Sequence, residues 1–145
     1  MGSEENKATL RRNFEEIWND RNFSLIRDLV SPEYVGITAF GVMKGQDGYE
    51  QNVKRQTTNM PDLHYTVDEV VGEGDTVMAK VTMTGTATSG KIGDIDYSGK
   101  KITITHILVN KYDENARVKE STSFGNPLET LKQLGVPIPP EWGMG

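Results

Sequence analysis

The hydrophobic period of this chain shifts from mainly helical to mainly strand-like, and that shift narrows the folds open to it. Apart from a short stretch at Tyr34 to Phe40, the apolar residues up to Thr58 recur at helical spacing; from Leu63 to Phe124 they alternate, the period of a strand. Leu10, Phe14, Ile17 and Trp18 mark one face of a helix that begins behind Ser3, a cap candidate followed by Glu4 and Glu5, and ends near Asp20. Ser24 proposes a second helix, with Leu25, Ile26, Leu29 and Val30 on its apolar face and Pro32 as its stop. Tyr34 to Phe40 reads as a short strand. Gly41, Gly45 and Gly48 then punctuate the chain before Asp47 and Glu50, a capping pair, open a third helix from about Gly48 to Thr58. Only Tyr49 and Val53 are apolar on that helix, which places it at the surface or over a cavity mouth.

In the second part, Leu63, Tyr65 and Val67 alternate with polar partners, and so do Val77, Ala79, Val81 and Met83. Gly72, Gly74 and Asp75 supply the turn between them. Ile102, Ile104, His106 and Leu108 share one face of a later strand, while Thr103, Thr105, Ile107 and Val109 share the other. Asp113 to Ala116 turn the chain into a last strand from Val118 to Phe124; Pro127 opens a helix carrying Leu128, Leu131 and Leu134, and Gly135 ends it. Residues 136–145 form an extended, proline-rich tail. Helices first and long antiparallel strands afterwards define an α+β class: a strongly curved, mainly antiparallel sheet wrapped around N-terminal helices, with a cone-shaped interior. At 145 residues the chain is one domain, 1–145.

The composition removes several function classes. There is no cysteine, so disulfides, thiolate nucleophiles and cysteine zinc sites are excluded and a cytoplasmic home is favoured. With two histidines and no cysteine, no metal-ligand cluster is expected. The net charge is −5 and the basic residues are scattered, which argues against nucleic acid and anionic membranes as partners. No stretch approaches the ~20 apolar residues of a membrane span, and the first residues lack the pattern of a secretory leader. A soluble protein follows.

A family resemblance rests on a series of segments in order. These are Phe14-Glu15-Glu16-Ile17-Trp18-Asn19, Val30-Ser31-Pro32-Glu33-Tyr34-Val35, Met60-Pro61-Asp62-Leu63-His64-Tyr65-Thr66-Val67 and Gly74-Asp75-Thr76-Val77, then Thr84-Gly85-Thr86, Ser98 to Thr105 and Leu131-Lys132-Gln133-Leu134-Gly135. Together they resemble the SnoaL-like polyketide cyclases, a branch of the nuclear transport factor two-like superfamily. The resemblance implies a cone-shaped α+β barrel, dimeric through its sheets, with a pocket for an apolar ligand. It also implies ring closure by an aldol step without metal or cofactor, with an aspartate on the last strand as acid and base. Counted back from Gln133-Leu134-Gly135, Ser123 stands at that aspartate's position and Ser121 where a histidine often precedes it, so the usual acid/base is missing.

His106 remains the best titratable candidate, because imidazole exchanges protons near neutral pH. On this reading His106 transfers a proton or polarises a carbonyl, with Ser123 orienting it; the competing reading is a hydrogen-bonded core histidine. Trp18, Tyr34 and Tyr49, with Leu108 and Ser121, are candidates for lining an apolar pocket with a few polar tips. His64 is expected to point outward, Glu120 to face the far side of the sheet, and Asp94 and Asp96 to sit on a solvated hairpin. The functional expectation is a cyclase or isomerase acting on an apolar, polyketide-like carbonyl compound. The alternatives are a non-catalytic binding protein that kept the pocket, and a protein-interaction domain with a filled cone. Thr103, Thr105, Ile107 and Val109, with Met78 and Thr82, make an outer face apolar enough to pair two copies into a homodimer, unless the tail with Ile138 and Trp142 covers it.

Overall fold

The computed structural model describes residues 2–38 and 41–142, with the Trp142 side chain left out. Helix α1 (Ser3–Arg12) runs directly into a π-helical stretch, Asn13–Asn19, so the first helix ends where its apolar spacing predicts. Gly2, not Ser3, occupies the cap and offers no side-chain bond. The second helical segment is shorter than its spacing suggests: a 3-10 turn, Phe23–Leu25, leads into α2 (Ile26–Leu29). Ser24 caps no backbone group; its hydroxyl donates to Asn22 Oδ1 at 2.7 Å. The chain is already extended at Val30, and Pro32 lies inside strand β1 (Val30–Thr38) rather than stopping a helix. Proline is tolerated there because β1 is irregularly paired between Val30 and Val35, where no ladder bond needs its missing N–H.

Strand β2 (Gly41–Lys44) is an element the sequence pattern did not predict, since its glycine boundaries read as punctuation. Helix α3 (Gly45–Asn59) starts earlier than expected. Asp47 and Glu50 do not cap it, because both lie inside the helix, Asp47 pairing with Arg27 at 3.0 Å and Glu50 with Lys54 at 2.8 Å; Gln46 ties the helix start to the Val30 carbonyl. Strands β3 (His64–Glu73) and β4 (Thr76–Thr86) meet at Gly74-Asp75, where Gly74 takes φ +60, while Gly72 stays within β3. A small hairpin, β5 (Lys91–Ile92) and β6 (Ile95–Asp96), precedes β7 (Lys101–Tyr112) and β8 (Val118–Phe124). Helix α4 (Pro127–Gln133) is capped by Asn126, whose Oδ1 accepts from the Glu129 N–H at 3.2 Å, and Gly135 at φ +83 ends it. The tail is extended only as far as Pro139; Pro140–Trp142 form one 3-10 turn.

The main sheet has six strands in the order β2-β1-β8-β7-β4-β3, and every neighbouring pair is antiparallel except β1 with β8. It is curved but not closed by hydrogen bonds, because β2 and β3 remain its edges. The N-terminal helical segment closes the cone instead. Asn19 clamps the edge strand at two points, its amide donating to the Tyr65 carbonyl at 2.9 Å and accepting from the Tyr65 N–H at 2.8 Å. Arg21 reaches the Pro61 and Leu63 carbonyls at 3.0 and 3.1 Å, so the end of the helix is fixed over β3. Leu10, Ile17, Ile26 and Val30 then bury against Val77, Val81 and Val118 of the inner face. No helix among the described residues is long and apolar enough to cross a membrane.

Candidate functional site

Between the helical layer and the inner face of the sheet lies a cavity of about 500 Å³. Its sheet wall is dictated by alternation: Ile102, Ile104, His106, Leu108 and Asn110 of β7 all point inward, as do Ser121 and Ser123 of β8. Its helical wall comes from the π stretch, which contributes Asn13, Phe14 and Trp18. π turns recur at functional sites because the wider i→i+5 turn re-aims side chains. The polar helix α3 supplies Asn52, Arg55 and Gln56, in keeping with a position over a cavity mouth.

All seven residues proposed for the site, His106, Ser123, Trp18, Tyr34, Tyr49, Leu108 and Ser121, line this one cavity. Ser123 Oγ stands 3.4 Å from His106 Nδ1. Gly125 gives the imidazole its room, since a Cβ there would approach Nδ1 to 3.2 Å. Burial pushes His106 below its ordinary value of 6.5, which keeps the ring neutral at neutral pH, with one nitrogen able to accept a proton. Trp18 donates through Nε1 to Tyr49 Oη at 3.2 Å, and the Tyr49 and Tyr34 rings meet edge to face at 5.2 Å. Tyr34 lies over Gly36, where a Cβ would come within 2.4 Å of the phenol oxygen. Burial raises Tyr34 to about 12, the Ser121 hydroxyl working in the opposite direction, so the phenol stays protonated and able to donate. Tyr49 and Tyr65 are raised by the same cause.

Four expectations for groups outside the site agree with the structure. His64 and Glu120 are exposed, Glu120 paired in register with Lys111 on the outer side of the sheet. Asp94 and Asp96 are exposed on the β5–β6 hairpin, and the Ser98 hydroxyl and N–H hold the Asp96 carboxyl below its usual range. Among the described residues no group of histidines and carboxylates is arranged to hold a metal ion. None of the described lining residues is a carboxylate; Arg55, which donates to Asn52 Oδ1 at 2.8 Å, stands at the polar rim.

Sequence reasoning missed Asn13, Tyr65, Met60 and Asn110 as lining residues. Asn110 was visible, since it continues the inward series two residues beyond Leu108. Asn13 was visible too, three residues after Leu10 and four before Ile17 on the same helical face, but as a polar residue it did not stand out in an apolar stripe.

This architecture, an open curved sheet closed into a cone by helices around a cavity, defines the nuclear transport factor two-like α+β class. Solved structures of the same fold include a candidate SnoaL-like polyketide cyclase from Jannaschia sp. CCS1, with TM-score 0.80 and 20% identity over 94% of this chain and 95% of that one. IdmH of Streptomyces antibioticus, a candidate polyketide cyclase, gives TM-score 0.75 and 20% identity over 90% and 99%. An NTF2-like protein of Burkholderia pseudomallei K96243 gives 0.72 and 15% over 90% and 97%. At these identities the likeness concerns the fold. The family model for SnoaL-like polyketide cyclase matches residues 8–134, and the chain belongs to that family. None of the curated proteins matches it.

Proposed function

We propose that the chain is a cofactor-independent cyclase or isomerase that acts on an apolar, polyketide-like carbonyl compound through acid/base chemistry at His106. One observation carries the reading. Among the described lining residues of a largely apolar cavity, His106 alone is of a type that exchanges protons near neutral pH, and a hydroxyl stands beside its ring. The neutral imidazole accepts a proton from the carbon next to a substrate carbonyl, leaving an enolate. The enolate carbon adds to a second carbonyl of the same molecule, which closes a ring, and the imidazolium returns its proton to the new alkoxide. Nothing is gained or lost overall. In this reading Ser123 orients the ring, and the protonated Tyr34 and the Ser121 hydroxyl, which share a hydrogen bond in the cavity wall, donate to developing oxygen charge. The cysteine-free composition supports a cytoplasmic setting as part of the same reading.

His106→Ala should lower turnover of a cyclisable polyketone by on the order of 100-fold or more, the scale of lost general acid/base catalysis, while the circular dichroism spectrum and apparent affinity persist. Unchanged turnover would refute the assignment. The lack of a carboxylate among the described lining residues favours a second reading, a binding protein that keeps the pocket without the reaction. Native mass spectrometry that finds a retained molecule released unaltered, with no turnover by the parent protein, would select it.

A further inference from the structure

Ring closure involves two carbonyls, and the groups around His106 attend to one of them. As the enolate carbon adds to the second carbonyl, the C=O π bond there opens and negative charge collects on its oxygen. In an apolar cavity that oxygen calls for a fixed donor of its own. Tyr65 presents one. It lines the cavity and is 9% exposed. Tyr34 is hydrogen-bonded to Ser121 and Tyr49 to Trp18, whereas the Tyr65 hydroxyl has no hydrogen-bond partner among the described residues. Nor is it walled in: the side-chain atoms there that are both buried and unpartnered are the amide oxygens of Asn6, Asn13 and Asn110. An unpartnered hydroxyl that is not sealed off, on a residue of the cavity wall, opens into the cavity. Burial alone acts on its pKa and raises it, so the phenol stays protonated.

The fold fixes this side chain at both its ring and its backbone. Phe14 and Trp18 hold the ring, at centroid distances of 4.7 and 5.1 Å. Asn19 bonds the Tyr65 N–H at 2.8 Å and its carbonyl at 2.9 Å, so the clamp on the edge strand falls on the residue that carries the free hydroxyl. A donor fixed in advance needs no reorganisation when charge develops. For packing alone a phenylalanine would serve as well. The strand order then sets the relation to the base. His106 stands on β7, with Tyr34 two strands away on β1 and Tyr65 two strands away in the other direction on β3. Tyr65 is opposite Met83, and Met83 is opposite Ile104, the inward neighbour of His106. Two strand spacings and two residues along the strand put the Tyr65 and His106 Cα atoms about 12 Å apart, and both side chains line the one cavity.

We infer that Tyr65 is a catalytic residue of the ring closure, its O–H donating to the oxygen of the carbonyl under attack. The inference rests on the cavity being the substrate pocket, as proposed above. Tyr65 keeps its proton throughout, and the proton that His106 takes from carbon goes to the new alkoxide. The test uses fluorenone, an apolar ketone, with the whole protein: tryptophan fluorescence follows binding and infrared difference spectroscopy the carbonyl stretch. In the native protein the stretch should lie below its position in hexane. Tyr65→Phe, which keeps a ring between Phe14 and Trp18, should return it toward that position and weaken binding by about three- to tenfold, the worth of one hydrogen bond. Its urea midpoint should be no lower than the native one, since the lost hydroxyl bonds nothing in the fold. His106→Ala should leave the stretch where it is, so a failed base at His106 would not disturb this result. Bound fluorenone with the same stretch in the native and Tyr65→Phe proteins would overturn the role of Tyr65 and leave the pocket reading standing, as would a stretch that moves only in Tyr34→Phe. A clear loss of stability in Tyr65→Phe would show that the hydroxyl serves the fold, and would also overturn it. No binding of fluorenone to the native protein would overturn both readings.

Discussion

Ile107 and Leu108 are neighbours on β7, similar in size and apolarity, and the fold sends them to opposite fates: Ile107 is 44% exposed and Leu108 8%. The same contrast runs along the strand. Inward positions alternate apolar residues with His106 and Asn110, and outward positions carry Thr103, Thr105, Ile107 and Val109 between the two flanking lysines, Lys101 and Lys111. Apolar content therefore does not distinguish the two faces. What marks the inner face is the placing of a few polar groups among apolar ones on adjacent strands, His106 and Asn110 on β7 and Ser121 and Ser123 on β8. A binding site has that composition, whereas a surface built for packing against another sheet needs only the β-branched row.

The sharpest way to break the comparison is to truncate both neighbours. Leu108→Ala should destabilise the protein by roughly 2–5 kcal/mol, the usual cost of opening space beside a buried leucine. Ile107→Ala should cost the monomer well under about 1 kcal/mol, as exposed substitutions do. Urea melts at low protein concentration measure both, and similar losses would mean the two faces are equally covered.

The outer face carries a proposal of its own. Met78 is 46% exposed and Phe124 57%, and both join Ile107 and Val109 through the β4–β7 and β7–β8 registers. We propose that this face pairs with its copy in a two-fold homodimer, as expected from the sequence. Ile107→Lys should then convert a dimer into a folded monomer, since burying an unpaired charge costs about 3–5 kcal/mol. Sedimentation of the native protein as a monomer at micromolar concentration would end the proposal. The rival expectation, that the tail covers this face through Ile138 and Trp142, involves a Trp142 side chain outside the described residues.

A smaller effect is expected where Tyr34 enters the cavity. Gly36→Ala would place a methyl group 2.4 Å from the phenol oxygen, so the ring or the strand must move. The cost should be about 1–3 kcal/mol, typical of overpacking. A Gly36→Ala protein with native stability in urea melts would show that Tyr34 is free to turn away.

How much of this was legible in the sequence depends on the range of the forces involved. The inward row on β7 could be read because side chains alternate strictly along a strand, and the seven residues named for the site converge on one cavity through that rule and the family resemblance. Strand β2 escaped because four residues between glycines carry too little pattern. The capping role given to Asp47 and Glu50 failed because the helix starts at Gly45, which puts both inside it, where Asp47 pairs with Arg27 and Glu50 with Lys54. Pro32 looked like a helix stop because nothing local shows that a parallel strand would leave it an unpaired position. Asn13 escaped for a different reason: its spacing from Leu10 and Ile17 puts it on the inward face, but its polarity kept it out of an apolar stripe.

The weakest effect expected concerns pH, and it separates the two faces through His106 alone. Burial holds the folded imidazole below 6.5, so in acid the unfolded chain takes up a proton first. Between 6.5 and the folded value the unfolded state binds more protons, and stability must fall as the pH falls; above 6.5 this contribution is fully present, and below the folded value it no longer changes. The slope in that window cannot exceed about 1.4 kcal/mol per pH unit for one group. His106→Gln, which keeps a polar side chain but cannot titrate, should flatten the decline in stability between about pH 7 and pH 5 relative to the native protein. His64→Gln, on an exposed strand position, is the control and carboxylate contributions are common to all three proteins. Urea midpoints measured across that range decide the matter: equal declines in the native and His106→Gln proteins would mean that the ring is solvated in the folded state, and with that the case for a neutral base in the cavity would fall.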